Sequence, residues 1–223
     1  MGEWIRLKAV DGFELGAWRA APEGRPRGGV VVVQEIFGVT AHIRAVADGY
    51  AAEGYLAVAP AIFDRSERDA ELAYDADGLA RGRALLEKIP REATLVDLAA
   101  AVEAAKSAGK VGIVGFCLGG TLAWVAAAQV DGLSAAVGYY GGGVIGLNHL
   151  KPRVPVMLHF GEADEHIPAA GVRAVAAAHP DAQVFLYPGA GHAFNREGWP
   201  PYHAPSAALA KARTLELFAK RLG

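Results

Sequence analysis

Gly115-Phe116-Cys117-Leu118-Gly119-Gly120 is the stretch whose reading decides the fold of this chain. The apolar run Lys110-Val111-Gly112-Ile113-Val114 precedes it, and an alanine-rich stretch from Thr121 to Val130 follows. That order predicts a strand, a sharp turn and a helix. The G-x-C-x-G core has the spacing of a nucleophile elbow, with cysteine where serine is usual. The spacing has a steric basis: the central residue sits in a strained turn that lifts its side chain clear of the sheet, so the residues two before and two after must be small. A helix N-terminus behind such a turn directs free N–H groups at the site, which favours a thiolate or a developing oxyanion. The competing reading of a lone cysteine is a buried structural residue.

Similar strand and helix patterns flank this unit. Trp4 to Val10 and Phe13 to Ala20 read as two strands around Asp11-Gly12, a type I′ hairpin signal. Val30 to Val33 reads as a fully buried central strand, ending in Gln34-Glu35-Ile36-Phe37-Gly38. A helix is expected from Ala41 to Glu53, then a strand from Tyr55 to Ala59 stopped by Pro60. Ile62 to Asp77 is polar and irregular, a loop expected over the active site; a helix should follow from Gly78 to Lys88. Pro90 fits the first turn of a longer helix through Ala108, with Leu95, Leu98, Val102 and Ala105 on its apolar face. Strands at Ser134 to Tyr139, Val154 to Phe160 and Gln183 to Tyr187 are expected, with helices at Ala169 to Ala178 and His203 to Leu222. The alternation predicts an α/β fold: one domain over residues 1–223, with a mostly parallel sheet covered by helices on both faces. Ligands in such folds bind at the carboxyl ends of the strands.

Two more loops follow strands there. Gly161-Glu162-Ala163-Asp164-Glu165-His166-Ile167-Pro168 comes after one, and Pro188-Gly189-Ala190-Gly191-His192-Ala193-Phe194 after the last. The order nucleophile, acid, histidine is that of α/β-hydrolases. On this reading His192 takes the proton of the Cys117 thiol, and Asp164 orients the ring and stabilises the imidazolium. Glu162 and Glu165 are rival acids, and Asp164 could instead be a turn residue or helix cap. His159, Glu162, Asp164 and His166 lack zinc-type spacing, so no metal is expected.

With these residues in hand, the chain resembles the dienelactone hydrolase family of the α/β-hydrolase fold over nearly its whole length. Gln34-Glu35-Ile36-Phe37-Gly38, the cysteine elbow, Ala136-Val137-Gly138-Tyr139-Tyr140-Gly141 and Gly191-His192-Ala193-Phe194 carry the resemblance. It implies Cys117 as nucleophile with Asp164 and His192, Glu35 near the thiol, and the N–H groups of Ile36 and Leu118 as the oxyanion hole. It also implies arginines that hold a substrate carboxylate: Arg196, four residues after His192, and Arg81 on the helix after the Ile62 to Asp77 loop. Tyr140 is a further expected substrate contact. Known members carry a tyrosine four residues after the helix arginine; Leu85 stands there here, a departure that bears on dienelactone itself as substrate. A carboxylate beside a thiol disfavours the thiolate, so Glu35 is expected to suppress the resting nucleophile. Alternatively, Glu35 hydrogen-bonds loop N–H groups, and Arg196 is a surface residue paired with Glu197.

Composition narrows the partners. The 223 residues carry a formal net charge of −2 with 21% charged and 52% hydrophobic residues, so no basic surface calls for nucleic acid. A single cysteine precludes an intramolecular disulfide and fits a reducing compartment. Glu3, Arg6, Lys8, Asp11 and Glu14 interrupt any apolar leader, and no apolar run reaches membrane-spanning length. The expectation is a cytoplasmic monomer, without cofactor, that opens a lactone or ester of a small carboxylate-bearing molecule through an acyl-enzyme. Thioester or simple ester hydrolysis on the same triad, a redox-sensing thiol, and a non-catalytic small-ligand binder are the alternatives.

Overall fold

A computed structural model describes residues 2–223. Its frame is an eight-stranded sheet. The strands are β1 (Glu3–Lys8), β2 (Glu14–Ala20), β3 (Gly29–Val33), β4 (Leu56–Pro60), β5 (Val111–Phe116), β6 (Leu133–Tyr139), β7 (Val156–Gly161) and β8 (Gln183–Tyr187). They lie in the order β1-β2-β4-β3-β5-β6-β7-β8. Both pairings of β2 are antiparallel, and every pairing from β4 through β8 is parallel. The valines of β3 are wholly buried, as a central strand covered on both faces requires.

The described residues form six helices, five of which cover the faces: α1 (Ala41–Ala52), α2 (Ala76–Leu86), α3 (Arg91–Ala105), α4 (Leu118–Gln129), α5 (Ala169–Ala178) and α6 (Ala204–Arg221). Tyr50 of α1 and Tyr55 both meet Phe218 of α6, which places α1 and α6 together on one face. Trp124 of α4 packs edge-on to His179 at the end of α5, and α3 and α4 adjoin on the other face. The helix α2 belongs to neither layer. Leu85 and Ile89 join Ile36, Phe63 and Leu72 in a small separate cluster at the carboxyl end of the sheet. A Cβ at Gly82 would collide with the Ile36 carbonyl, so α2 is seated directly on the loop after β3.

Several local expectations need correction. The first hairpin is not a two-residue type I′ turn: Gly12 N–H donates to Ala9 O, Ala9 N–H donates to Phe13 O, and only Gly12 takes positive φ (+87°). That is a three-residue turn with its glycine in the left-handed region. The segment expected to be an irregular loop contains a 3-10 turn at Ile62–Arg65 and a bridge from Glu71 to Gly38. The helix after it begins earlier because Asp75 caps it, accepting from Gly78 N–H. Pro90 sits just before the first turn of α3, and α3 tightens to a 3-10 turn at Lys106–Ala108. Its face buries Asp97 beside Leu98, because Arg65 reaches Asp97 with two hydrogen bonds of 2.8 Å. The helix after the elbow starts at Leu118 rather than Thr121.

Candidate active site

Each loop picked out in the sequence leaves the carboxyl end of a parallel strand: Glu35 after β3, Cys117 after β5, Tyr140 after β6, Asp164 after β7 and His192 after β8. Cys117 has φ +54° and ψ −112°, a conformation in which a non-glycine residue is strained. The glycines around it permit the turn by close approach. A Cβ at Gly115 would strike the carbonyl of Gly119, one at Gly119 the carbonyl of Val33, and one at Gly120 the carbonyl of Tyr139. The turn is held from below as Cys117 N–H donates to Tyr139 O at 3.0 Å. Among the described residues, neither the Leu118 N–H nor the Ile36 N–H finds a protein acceptor.

His192 Nδ1 lies 2.7 Å from Asp164 Oδ2, with the Asp164 side chain fully buried. The other Asp164 oxygen accepts the His166 N–H at 2.9 Å, so this residue is both a turn-former and the imidazole's partner. The rival acids point elsewhere: Glu162 is exposed and faces Arg173, and Glu165 is exposed. Burial works against a charge on His192. The hydrogen bond to Asp164 and the neighbouring Cys117 sulfur outweigh it and raise the imidazole pKa to about 10. His159, by contrast, is wholly buried with its ring nitrogens on Tyr187 Oη (2.9 Å) and Thr214 Oγ1 (3.1 Å). It belongs to the packing under β8 and does not join Asp164 or His166.

Glu35 is buried, and burial raises its carboxyl above the ordinary range, against the lowering influence of Arg196, Tyr74, His192 and Tyr140. Its oxygens accept from Tyr140 Oη and from Arg196 Nη1, each at 3.4 Å. Arg196 is therefore not a surface partner of Glu197. Its guanidinium carbon stands 4.1 Å from the Tyr74 ring centre, 5.4 Å from Trp199 and 6.0 Å from Phe37. Its Nε is buried without a partner.

Tyr140, expected to touch substrate, has no accessible surface. Its hydroxyl donates to Asn195 Oδ1 and stands 3.4 Å from Glu35 Oε1, and its ring packs edge-on to His192 at 5.0 Å. The residue thus supports the site from beneath. Arg81 lies on the exposed side of α2 and pairs with Glu67. The sequence reading missed the aromatic box around Arg196, and Gln34, whose buried amide holds Glu35 O and the Ile62 N–H. Lone aromatics in the otherwise polar stretches around Tyr74 and Trp199 were the available signal.

The profile of the dienelactone hydrolase family matches residues 15–222. The chain belongs to this family. It is 36% identical to a carboxymethylenebutenolidase of Pseudomonas putida, an alignment covering 97% of this chain and 96% of that one. It is 38% identical to a putative carboxymethylenebutenolidase of Yersinia pestis, over 93% of this chain and 84% of the other. A crystal structure of a putative dienelactone hydrolase from Klebsiella pneumoniae superposes with a TM-score of 0.87 at 33% identity, covering 99% and 98% of the two chains. The fold is that of the α/β-hydrolases. As a dienelactone hydrolase family member the protein is a hydrolase acting on ester or lactone bonds. Among the described residues, no helix is long and apolar enough to cross a membrane.

Proposed function

We propose that the protein is a cysteine hydrolase that opens a lactone or ester of a small, carboxylate-bearing substrate through an acyl-enzyme. The observation that carries this reading is the strained elbow at Cys117 beside an imidazole held 2.7 Å from a buried carboxylate. The Cys117 thiol gives its proton to His192 and attacks the ester carbonyl. The resulting oxyanion is met by the free N–H groups of Leu118 and Ile36. As the C–O bond breaks, His192 returns the proton to the departing alkoxide, which in a lactone stays tethered to the acyl group. Water, deprotonated by His192, then attacks the thioester and releases Cys117. Asp164 fixes the imidazole tautomer throughout. Arg196 supplies the carboxylate contact, and its guanidinium, tied to Glu35 through Nη1 alone at 3.4 Å, supports that role; Arg81 is the second, outer arm.

The test is intact-mass analysis during turnover of a slow ester, followed by peptide mapping. An acyl adduct on Cys117 is expected, and Cys117→Ala should lower kcat by roughly 10⁴- to 10⁶-fold with the fold retained. An adduct on any other residue, or turnover that survives in Cys117→Ala, overturns the mechanism.

A further inference from the structure

The two N–H groups assigned to the oxyanion are aimed by different means. Leu118 opens α4, so the helix directs its N–H, whereas Ile36 lies in the loop after β3 and must be aimed by its surroundings. A peptide group is planar and trans, so the Glu35 carbonyl and the Ile36 N–H point in opposite directions from one rigid plate. Whatever holds Glu35 O therefore decides where the Ile36 N–H points.

Two donors hold it. Gly38 N–H closes a tight turn on Glu35 O at 3.3 Å, and the side-chain amide of Gln34 donates to the same oxygen, also at 3.3 Å. One hydrogen bond leaves the plate free to rock about the bond axis; a second donor from another direction fixes its plane. Gln34 can serve because it is itself anchored. Its side chain is wholly buried, and its amide oxygen accepts the Ile62 N–H at 3.1 Å, just beyond β4. The Ile62 N–H needs an oxygen and the Glu35 carbonyl needs an N–H, so the two partners permit only one orientation of the amide. The carbonyls on either side of Glu35 O are hemmed in as well: a Cβ at Gly119 would press on the Gln34 carbonyl, and one at Gly82 would collide with that of Ile36.

We infer that Gln34 is a positioning residue of the hydrolase: its amide, braced on Ile62, sets the plane of the Glu35–Ile36 peptide and so aims the Ile36 N–H at the point where the oxyanion forms. The inference rests on the oxyanion hole of the mechanism proposed above. Gln34 needs no contact with substrate, because its effect passes through the peptide. That effect belongs to the transition state, where charge has developed on the oxygen, and an uncharged ester carbonyl gains little from the same donor. Misaiming the N–H therefore lowers kcat and leaves KM nearly unchanged.

Steady-state hydrolysis of p-nitrophenyl acetate by the full chain tests the assignment. Gln34→Met and Gln34→Leu are apolar replacements of similar size that remove both hydrogen bonds. Each should lower kcat roughly 10- to 100-fold with KM within about threefold of the wild type, circular dichroism reporting that the variant is folded. The second arm replaces Ile36 by its α-hydroxy acid, which exchanges the N–H for an ester oxygen and should itself lower kcat. In that background Gln34→Met should cost kcat almost nothing further, because there is no N–H left to aim. A folded Gln34→Met or Gln34→Leu chain with wild-type kcat, a loss carried by KM alone, or a full additional loss on top of the Ile36 ester would overturn the inference. An Ile36 ester with wild-type kcat would overturn it together with the oxyanion hole, whereas turnover surviving in Cys117→Ala overturns only the nucleophile.

Discussion

Arg196 and Glu35 are a buried ion pair at 3.4 Å, and their chemistry depends on what else competes for the guanidinium. Taking two charges out of water is costly, and a single contact of this length leaves most of the guanidinium's donors for another carboxylate. An incoming substrate carboxylate would take the guanidinium donors that Glu35 leaves free while the aromatic box keeps the arginine in place. A charged hydrogen bond of this kind contributes about 1.5–3 kcal/mol, or about 10- to 150-fold in kcat/KM. Arg196→Ala should accordingly damage turnover of a carboxylate-bearing ester by that factor and spare its neutral methyl-ester analogue. Equal losses on both substrates would reject the clamp. Glu35 poses a second question at this scale. A negative charge on Glu35 disfavours a second negative charge close to it. Glu35 reaches the site through the Tyr140 hydroxyl, 3.4 Å from its Oε1. The wild type should therefore react slowly with iodoacetamide near neutral pH, and Glu35→Gln should react faster. Rapid wild-type alkylation that Glu35→Gln leaves unchanged would dismiss the gating role.

The element that matters most is the β5–elbow–α4 unit. The Cys117 strain persists only because backbone packs on backbone around it: α4 lies against the end of β3 at Gly119 and against the end of β6 at Gly120. A single methyl at Gly119 must push the helix away from the Val33 and Gln34 carbonyls. Overpacking of this kind costs about 1–3 kcal/mol, and the shift also moves the Leu118 N–H out of the site. Gly119→Ala should lower the urea midpoint correspondingly and reduce kcat well beyond any loss of folded protein. Unchanged stability together with full turnover would mean that the elbow is not held by this contact. The α2 segment is positioned by the same kind of approach, at Gly82 on Ile36, so the loop carrying the Ile36 N–H is buttressed from both sides.

On the scale of the whole molecule, acid stability turns on histidines buried without charge. Folded His159 has its pKa lowered to about 3, chiefly by burial and also by Arg213, against an ordinary 6.5. The unfolded chain binds that proton first. The stability this imposes is complete above about pH 6.5 and is lost as pH falls towards 3. His42, at about 4, acts in the same direction within that window. His159→Gln keeps a polar partner for Tyr187 and Thr214 but cannot take up the proton. Its melting temperature should therefore fall less steeply than the wild type's between pH 6.5 and 3. Identical slopes would show that His159 contributes nothing to the acid limb. What the sequence determined alone was everything carried by local periodicity and steric need: the alternating strands and helices, the elbow with its glycines, and the loops bearing Asp164 and His192 after their strands. Those signals are short-range, so they survive without knowledge of neighbours. Tertiary structure decided the rest, because it depends on which distant side chains converge. Tyr140 turned inward to Glu35, Arg196 was drawn from the surface into an aromatic box, Asp97 was buried by Arg65, and α1 and α6 were left with a cavity between them. No spacing along the chain encodes such meetings; they arise where burial of charge and packing of rings are settled together across the sheet.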